Sequence, residues 1–234
     1  KYYKKMKLAI MQPYFLPYIG YFQLIKAVNL FIIYDDVQFI KRGWINRNYI
    51  LSNENKLMFN LILNGASQNK LINEISVQTD QNKLLKTIYH SYKKAPYFEF
   101  IYPLIKNILD FEDKNLAKFI GNSIIHICNY LKIDTEIIYS SSMEKNNELK
   151  GQEKIIHICK LLNADTYINA IGGQDLYDKE SFKKACIDLK FIKNNSTPYT
   201  QFKNEFIPWL SIIDVMMFNS VDEINKMLDN YELI

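Results

Sequence analysis

The stretch Lys7 to Lys41, KLAIMQPYFLPYIGYFQLIKAVNLFIIYDDVQFIK, constrains the fold more than any other part of the chain. Leu8 to Met11 predicts a buried strand and Gln12 to Pro17 a polar, proline-rich turn. Ile19 to Val28 then predicts an apolar helix, and Leu30 to Tyr34 a second buried strand. One β-α-β unit in this order gives two parallel strands joined by a right-handed crossover. Ligands of open α/β sheets sit beyond the carboxyl ends of the strands. Here those ends carry Gln12-Pro13-Tyr14 and Asp35-Asp36-Val37-Gln38, which makes them candidates for the floor of an active site.

Beyond this unit, Tyr49 to Leu51 and Lys56 to Leu63 predict a hairpin, and Leu71 to Val77 another strand. Helices are predicted over 81–94, 97–109 and 114–131. The pattern then alternates again. Glu136 to Tyr139, Thr166 to Ala170 and Leu189 to Lys193 predict strands, Gly151 to Leu162 and Ser181 to Cys186 helices, and Ile171 to Asp175 a polar turn. Pro208 to Asn219 and Asp222 to Asp229 close the chain as helices. Strand-helix-strand alternation at both ends predicts an α/β fold with a Rossmann-like parallel sheet. The hairpin and helices of 49–133 form an insertion, expected as a cap subdomain within a single domain spanning 1–234.

Composition excludes several classes. Nearly half the residues are apolar (48%), and the net charge is only +4 with lysines spread along the chain, so neither disorder nor a nucleic-acid footprint is expected. No apolar run approaches the ~20 residues of a membrane span. The start KYYKK leads into a strand with Gln and Pro rather than an apolar run, which is not a signal-peptide pattern. Cys128, Cys159 and Cys186 lie far apart, with no CxxC and no metal-ligand spacing. They fit a reducing cytoplasm, with Cys128 and Cys159 as buried structural thiols. His90, His126 and His157 sit in helical patterns and form no triad or metal site.

The residues that carry chemistry fall in four clusters. Gln12 and Tyr14, in a turn stiffened by Pro13 and Pro17, fit either a phosphate- or carboxylate-binding loop or plain crossover punctuation. Asp35 and Asp36 alternate with Val37 and Gln38, so the two carboxylates point apart. They fit ribose binding, a Mg2+ site, a general base or a solvated strand end. Lys41, Arg42, Trp44, Asn46, Arg47 and Asn48 combine cations, amides and an aromatic, a set suited to an anionic ligand. Gly173 and Asp175 follow a strand at the same sheet edge, and Ser211 and Asp214 lie one helical turn apart.

Four stretches carry a resemblance: MQPYFLPYIGYFQLI at 11–25, FIIYDDVQFIKRGWINRNYI at 31–50, APYF at 95–98 and FIPWLSIIDVMMFN at 206–219. With them the chain resembles the WbqC-like protein family. Tyr18 stands where the family more often has Trp, and Ser220 where a Gly is often near. The family is typically encoded with O-antigen, capsule and related bacterial surface-glycan genes, which implies a cytoplasmic enzyme acting on a sugar nucleotide. On that implication the leading expectation is N-acyl or aminoacyl transfer to a nucleotide-linked amino sugar. Lys41, Arg42 and Arg47 would hold diphosphate or carboxylate, Asp35 or Asp36 would act as base, and Gln12, Asn46 and Asn48 would orient the amine. The partners would then be the sugar nucleotide and an acyl donor, with a homodimer allowed. Two alternatives stand beside it. One is an ATP- and Mg2+-dependent nucleotidylyltransferase- or ligase-like enzyme, although the His-x-x-His signature is absent. The other is a non-catalytic scaffold of a glycan-assembly complex.

Overall fold

The computed structural model describes residues 5–203 and 205–234. Lys1 to Lys4, most of the charged start on which the signal-peptide expectation rested, lie outside the described residues. Six strands form the central sheet: β1 (Lys7–Met11), β2 (Leu30–Ile33), β7 (Glu136–Tyr139), β8 (Thr166–Ala170), β9 (Asp188–Asn194) and β10 (Tyr231–Leu233). Their spatial order is β10-β9-β8-β1-β2-β7, all parallel except β10, which pairs antiparallel with β9. Counted along the sheet's own strands, this is the 3-2-1-4-5-6 order of a doubly wound α/β fold, and the expected parallel sheet is present.

The strands are buried on both faces because their apolar residues alternate between two cores. Ala9, Phe31 and Ile33 face a large core shared with α1 (Ile19–Lys26), α3 (Phe98–Leu109), α4 (Leu116–Leu131), α7 (Ile212–Phe218) and α8 (Val221–Leu228). Leu8, Ile10, Leu30 and Ile32 face a smaller one against α5 (Gly151–Leu161) and α6 (Lys179–Lys184). Continuous apolar runs such as LFII follow from this two-sided burial.

Strands β2 and β7 pair directly, yet residues 34–135 leave the sheet between them. That excursion holds the hairpin β3 (Arg47–Ser52) and β4 (Asn55–Asn60), the short pair β5 (Leu63–Asn64) and β6 (Ser76–Val77), α2 (Asn82–Tyr92), α3 and α4. The strand expected over 71–77 is corrected. Residues Ile72–Glu74 form a 3-10 turn, and only Ser76–Val77 pair as strand. The Glu74 carboxylate accepts from the Leu71 N–H at 2.8 Å, while the Ile72 and Asn73 N–H groups donate to Val37 and Asp35 carbonyls. Those partners satisfy the backbone without a ladder. The helix expected from Pro208 begins only at Ile212, because the Ser211 hydroxyl caps it by accepting from the Ile213 N–H. The polar turn after β8 is a 3-10 helix, Ile171–Leu176.

Candidate functional site

The strand order reverses between β1 and β8, and a crevice opens at such a point beyond the carboxyl ends of the strands. A cleft of ≈ 360 Å³ lies there. Its walls are Tyr14, Pro17 and Tyr18 after β1, Ile171 after β8, Asn194 at the end of β9, Asn48 of β3, and Trp44 and Trp209 from two more distant loops. Trp44 is 48% and Trp209 53% exposed, although Trp209 packs edge-on with Tyr18 and Trp44 lies against Tyr49. Burial raises the phenol pKa values of Tyr14 and Tyr18, with the Tyr18 phenol adding to the shift at Tyr14, so both stay neutral hydrogen-bonding groups.

Backbone conformation fixes these walls. Leu16 adopts φ 46° immediately before Pro17, an unfavourable place for a β-carbon. Its carbonyl accepts from Asn48 Nδ2 at 3.0 Å and from Ser211 Oγ at 2.7 Å. The Phe15 N–H donates to Ile45 O, the Ser211 N–H to Tyr49 O, and the Ile212 N–H to Pro17 O. Three stretches far apart in sequence are thereby joined around one turn. Gly20 leaves room for the Tyr18 ring over the first turn of α1, since a Cβ there would lie 2.3 Å from Tyr18 Cε2. Trp209 also has positive φ, 64°. Its loop is anchored by the Asp214 carboxylate, which accepts from Tyr92 OH at 2.7 Å, Tyr199 OH at 2.6 Å and Gln201 Nε2 at 2.7 Å.

A second polar cluster lies one strand over, at the carboxyl end of β2. Asp35, 2% exposed, accepts from the Ser141 N–H at 2.9 Å and Ser141 Oγ at 2.5 Å. Asp36 points to other partners, with Lys145 Nζ at 2.8 Å and Lys154 Nζ at 3.7 Å. Both lysine side chains are buried, at 1% and 9% exposed. Burial pushes the Asp36 carboxyl up, but the Lys145 ammonium, the Ser140 hydroxyl and Lys154 more than offset it and hold the carboxyl below its usual range. Both ammonium groups face the Asp36 carboxylate, and Lys154 also sits 5.6 Å from the Tyr34 ring centroid.

The sequence motifs that build this edge are shared. A model of the WbqC-like protein family matches residues 12–226. The chain belongs to the WbqC-like protein family. It is also 29% identical over 218 residues to the uncharacterized protein Rv1507c of Mycobacterium tuberculosis, across 91% of this chain and 93% of that protein. No solved structure matches.

In this WbqC-like protein the residues singled out from sequence divide into three groups. Tyr14, Trp44 and Asn48 meet at the cleft. Others are committed to holding loops together. Arg47 donates from Nε to Gly43 O at 2.8 Å and from Nη2 to Arg42 O, and it lies 6.0 Å from the Trp44 ring centroid. Asn46 Nδ2 donates to Leu61 O, and Ser211 and Asp214 are fully buried away from solvent. Gly173 is buried where a Cβ would lie 2.7 Å from Asn169 Nδ2. A third group, Gln38, Lys41, Arg42 and Asp175, is exposed, and Gln12 is half-buried with its carbonyl accepting from Tyr21 OH. Asp35 and Asp36 stay apart, as their alternation suggested. Among the described residues no three His, Cys, Asp or Glu side chains gather as a metal site.

Sequence reasoning missed Tyr18 and Trp209 as cleft residues, and Lys145 and Lys154. A Trp directly after Pro208, ahead of the capping Ser211, was a usable signal for Trp209. Lys154 sits on the apolar side of α5, an anomaly visible in GQEKIIHICKL, whereas nothing around Lys145 marks it.

Proposed function

We propose that this WbqC-like protein binds a nucleotide-linked amino sugar in the cleft at the β1–β8 reversal and transfers an acyl or aminoacyl group to its amine. This would be a step of bacterial surface-polysaccharide biosynthesis. The observation that carries the reading is the cleft itself, open at the ligand-binding edge of a doubly wound sheet and lined by four aromatic rings and two amides. Faces of Trp44 and Trp209 suit a base or a sugar ring, and Asn194 offers a polar group that fixes orientation, while Asn48 holds the Leu16 carbonyl behind the wall. Lys145 and Lys154 are buried against Asp36 and brace the neighbouring strand end. Asp36, with its carboxyl held low, is a weak proton acceptor, and its part is to position the two lysines. In the transfer, the amine attacks the donor's carbonyl carbon, the bond to the donor's leaving group breaks, and the proton from nitrogen goes with the departing group. The surface-glycan assignment is what the family resemblance implies; the cleft supports a ligand of this shape.

The chain has two tryptophans and both line the cleft, so intrinsic fluorescence reports it directly. Titration with UDP-, GDP- and dTDP-linked amino sugars should change that fluorescence saturably. The same ligands at ~100 times Kd should stabilise the fold by about 2.7 kcal/mol. Response to ATP with Mg2+ alone would replace acyl transfer by adenylyl transfer. No response to any nucleotide would leave a scaffold role.

A further inference from the structure

Helix α2 and the turn after it carry positive charge with nothing to balance it. From Gln81 to Phe98 the chain has four lysines and a histidine but no Asp or Glu. Leu84, Ile88 and Tyr92 bury one side of the helix in the large core. Lys83, Lys86 and His90 follow the opposite side at helical spacing, and Lys93 and Lys94 continue it past the helix end. Like charges a turn apart disfavour the helix, and an anionic ligand would relieve them.

This side of α2 walls an open groove. Two lobes of ≈ 630 Å³ and ≈ 650 Å³ meet at His90 and Ser91, and the β3–β4 turn and Phe202-Lys203 form the facing walls. Lys83, Lys86, Lys93, Lys94 and Lys203 line it, and none is ion-paired among the described residues. One carboxylate lines each lobe, Asp80 and Glu54. Five lysines against two carboxylates leave +3 here, most of the chain's net charge of +4. Besides His90, the remaining walls are neutral: Ser52, Asn53, Asn82, Thr87 and Ser91 are polar, and Leu51 and Phe202 apolar.

A concave surface with one dominant sign of charge concentrates ligands of the other sign. Lysines suit phosphates, and the exposed Phe202 ring suits a planar base. From Lys83 to Lys93 the stripe is about 15 Å long at ~1.5 Å per residue. A long polyanion would run past the lysines and against Asp80 or Glu54, whereas a single phosphorylated nucleotide fits the length and the volume. The groove also adjoins the cleft. Leu51 of the groove and Asn48 of the cleft are three residues apart on β3, ~10 Å of strand, and the loop that brings Lys203 to one brings Trp209 to the other.

We propose that the groove holds the phosphorylated nucleotide handle of the acyl donor, a thioester of the coenzyme A type, whose flexible arm carries the acyl group to the cleft. This rests on the acyl-transfer reading and names its donor. The sugar's amine nitrogen attacks the thioester carbonyl carbon, the C–S bond breaks as the C–N bond forms, and the amine proton ends on sulfur as the free thiol. The lysines bind the handle and take no part in that step.

The chain has three histidines, and only His90 lines the groove, so its imidazole C–H signals in NMR of the full chain report this site. Coenzyme A should shift the His90 signals saturably and leave those of His126 and His157 unmoved. Coenzyme A without its 3′-phosphate should bind about threefold more weakly. Lys86→Glu combined with Lys93→Glu reverses two exposed charges, so the fold should hold while affinity falls about tenfold. An unmoved His90, equal shifts at all three histidines, or unchanged affinity in the double variant would overturn the proposal. Tighter binding at His90 by a uridine oligonucleotide or a polyglutamate peptide than by coenzyme A would overturn it too, making the groove a polymer surface. Tryptophan fluorescence with sugar nucleotides reads the cleft separately. A fluorescence response with His90 silent would sink the groove and leave the cleft reading standing, and the reverse result would support the groove and sink the cleft.

Discussion

The hydroxyl of Ser211 donates to the carbonyl oxygen of Leu16 at 2.7 Å, across 195 residues of sequence. Asn48 Nδ2 donates to the same oxygen at 3.0 Å. A residue held at positive φ before a proline is thus secured from two sides, and the turn that carries Tyr14, Pro17 and Tyr18 to the cleft depends on both.

Each donor alone can satisfy that carbonyl, and losing both leaves it buried and unpaired. Ser211→Ala also removes the cap on α7 and should destabilise by about 2 kcal/mol. Asn48→Ala should cost about 1–2 kcal/mol. The double variant should lose more than the sum, by ~0.5 kcal/mol or more. Urea denaturation of the four proteins measures this, and strict additivity would show that the shared oxygen is not what couples them.

Gly20 acts on the cleft rather than on stability. In Gly20→Ala the new methyl meets the Tyr18 ring and not the backbone, so the ring swings away from the cleft wall. Helix propensity favours alanine by up to about 1 kcal/mol, so the midpoint of unfolding should hold or rise slightly. Sugar-nucleotide affinity by tryptophan fluorescence should fall about tenfold, the equivalent of ~1.4 kcal/mol. Unchanged affinity would remove Tyr18 from the site.

Asp36 and Asp214 should give stability-pH slopes of opposite sign. The folded Asp36 carboxyl lies below its ordinary value, held there by Lys145 against the effect of burial. Its contribution is complete above the unfolded pKa of about 4 and is lost as pH falls through the lower folded value. Burial, opposed by Tyr199, Tyr92 and Gln201, leaves the Asp214 carboxyl above its ordinary value. The folded protein keeps that proton after the unfolded chain has released it. Stability from Asp214 therefore falls as pH rises from about 4 through the raised folded value. Denaturation between pH 3 and pH 7 should show a weaker acid loss in Asp36→Asn and a flatter decline in Asp214→Asn. Identical slopes in wild type and variants would contradict both assignments. Asp214→Asn should in addition be less stable by about 2 kcal/mol, because its amide nitrogen would face the Gln201 donor.

The thiols should react unequally. Burial pushes Cys128 and Cys159 up to about 12, whereas Cys186 is exposed. Iodoacetamide at pH 8 should modify Cys186 alone in the folded protein and all three thiols in denaturant. Mass spectrometry of the native sample reads the difference, and native labelling of Cys159 would show that α5 opens.

The parallel sheet was legible because its strands are short apolar runs bounded by polar turns, and local periodicity alone separates LFII from the helix before it. Tyr14, Trp44 and Asn48 could be named for the same reason: their types are unusual for plain loops. Their convergence could not be seen, because it depends on β8 lying beside β1 and on the Ser211 loop reaching Leu16. Asp35 and Asp36 read alike in sequence and differ only through what surrounds them, a pair of serine groups for one and two buried lysines for the other. Ser211 and Asp214 carried a real signal, but burial turned it from ligand binding to loop support. Local composition thus determined the elements and the two-sided burial of the sheet. Which polar groups line the cleft was decided by tertiary structure alone, since a side chain's partners and exposure come from residues that are distant in the chain.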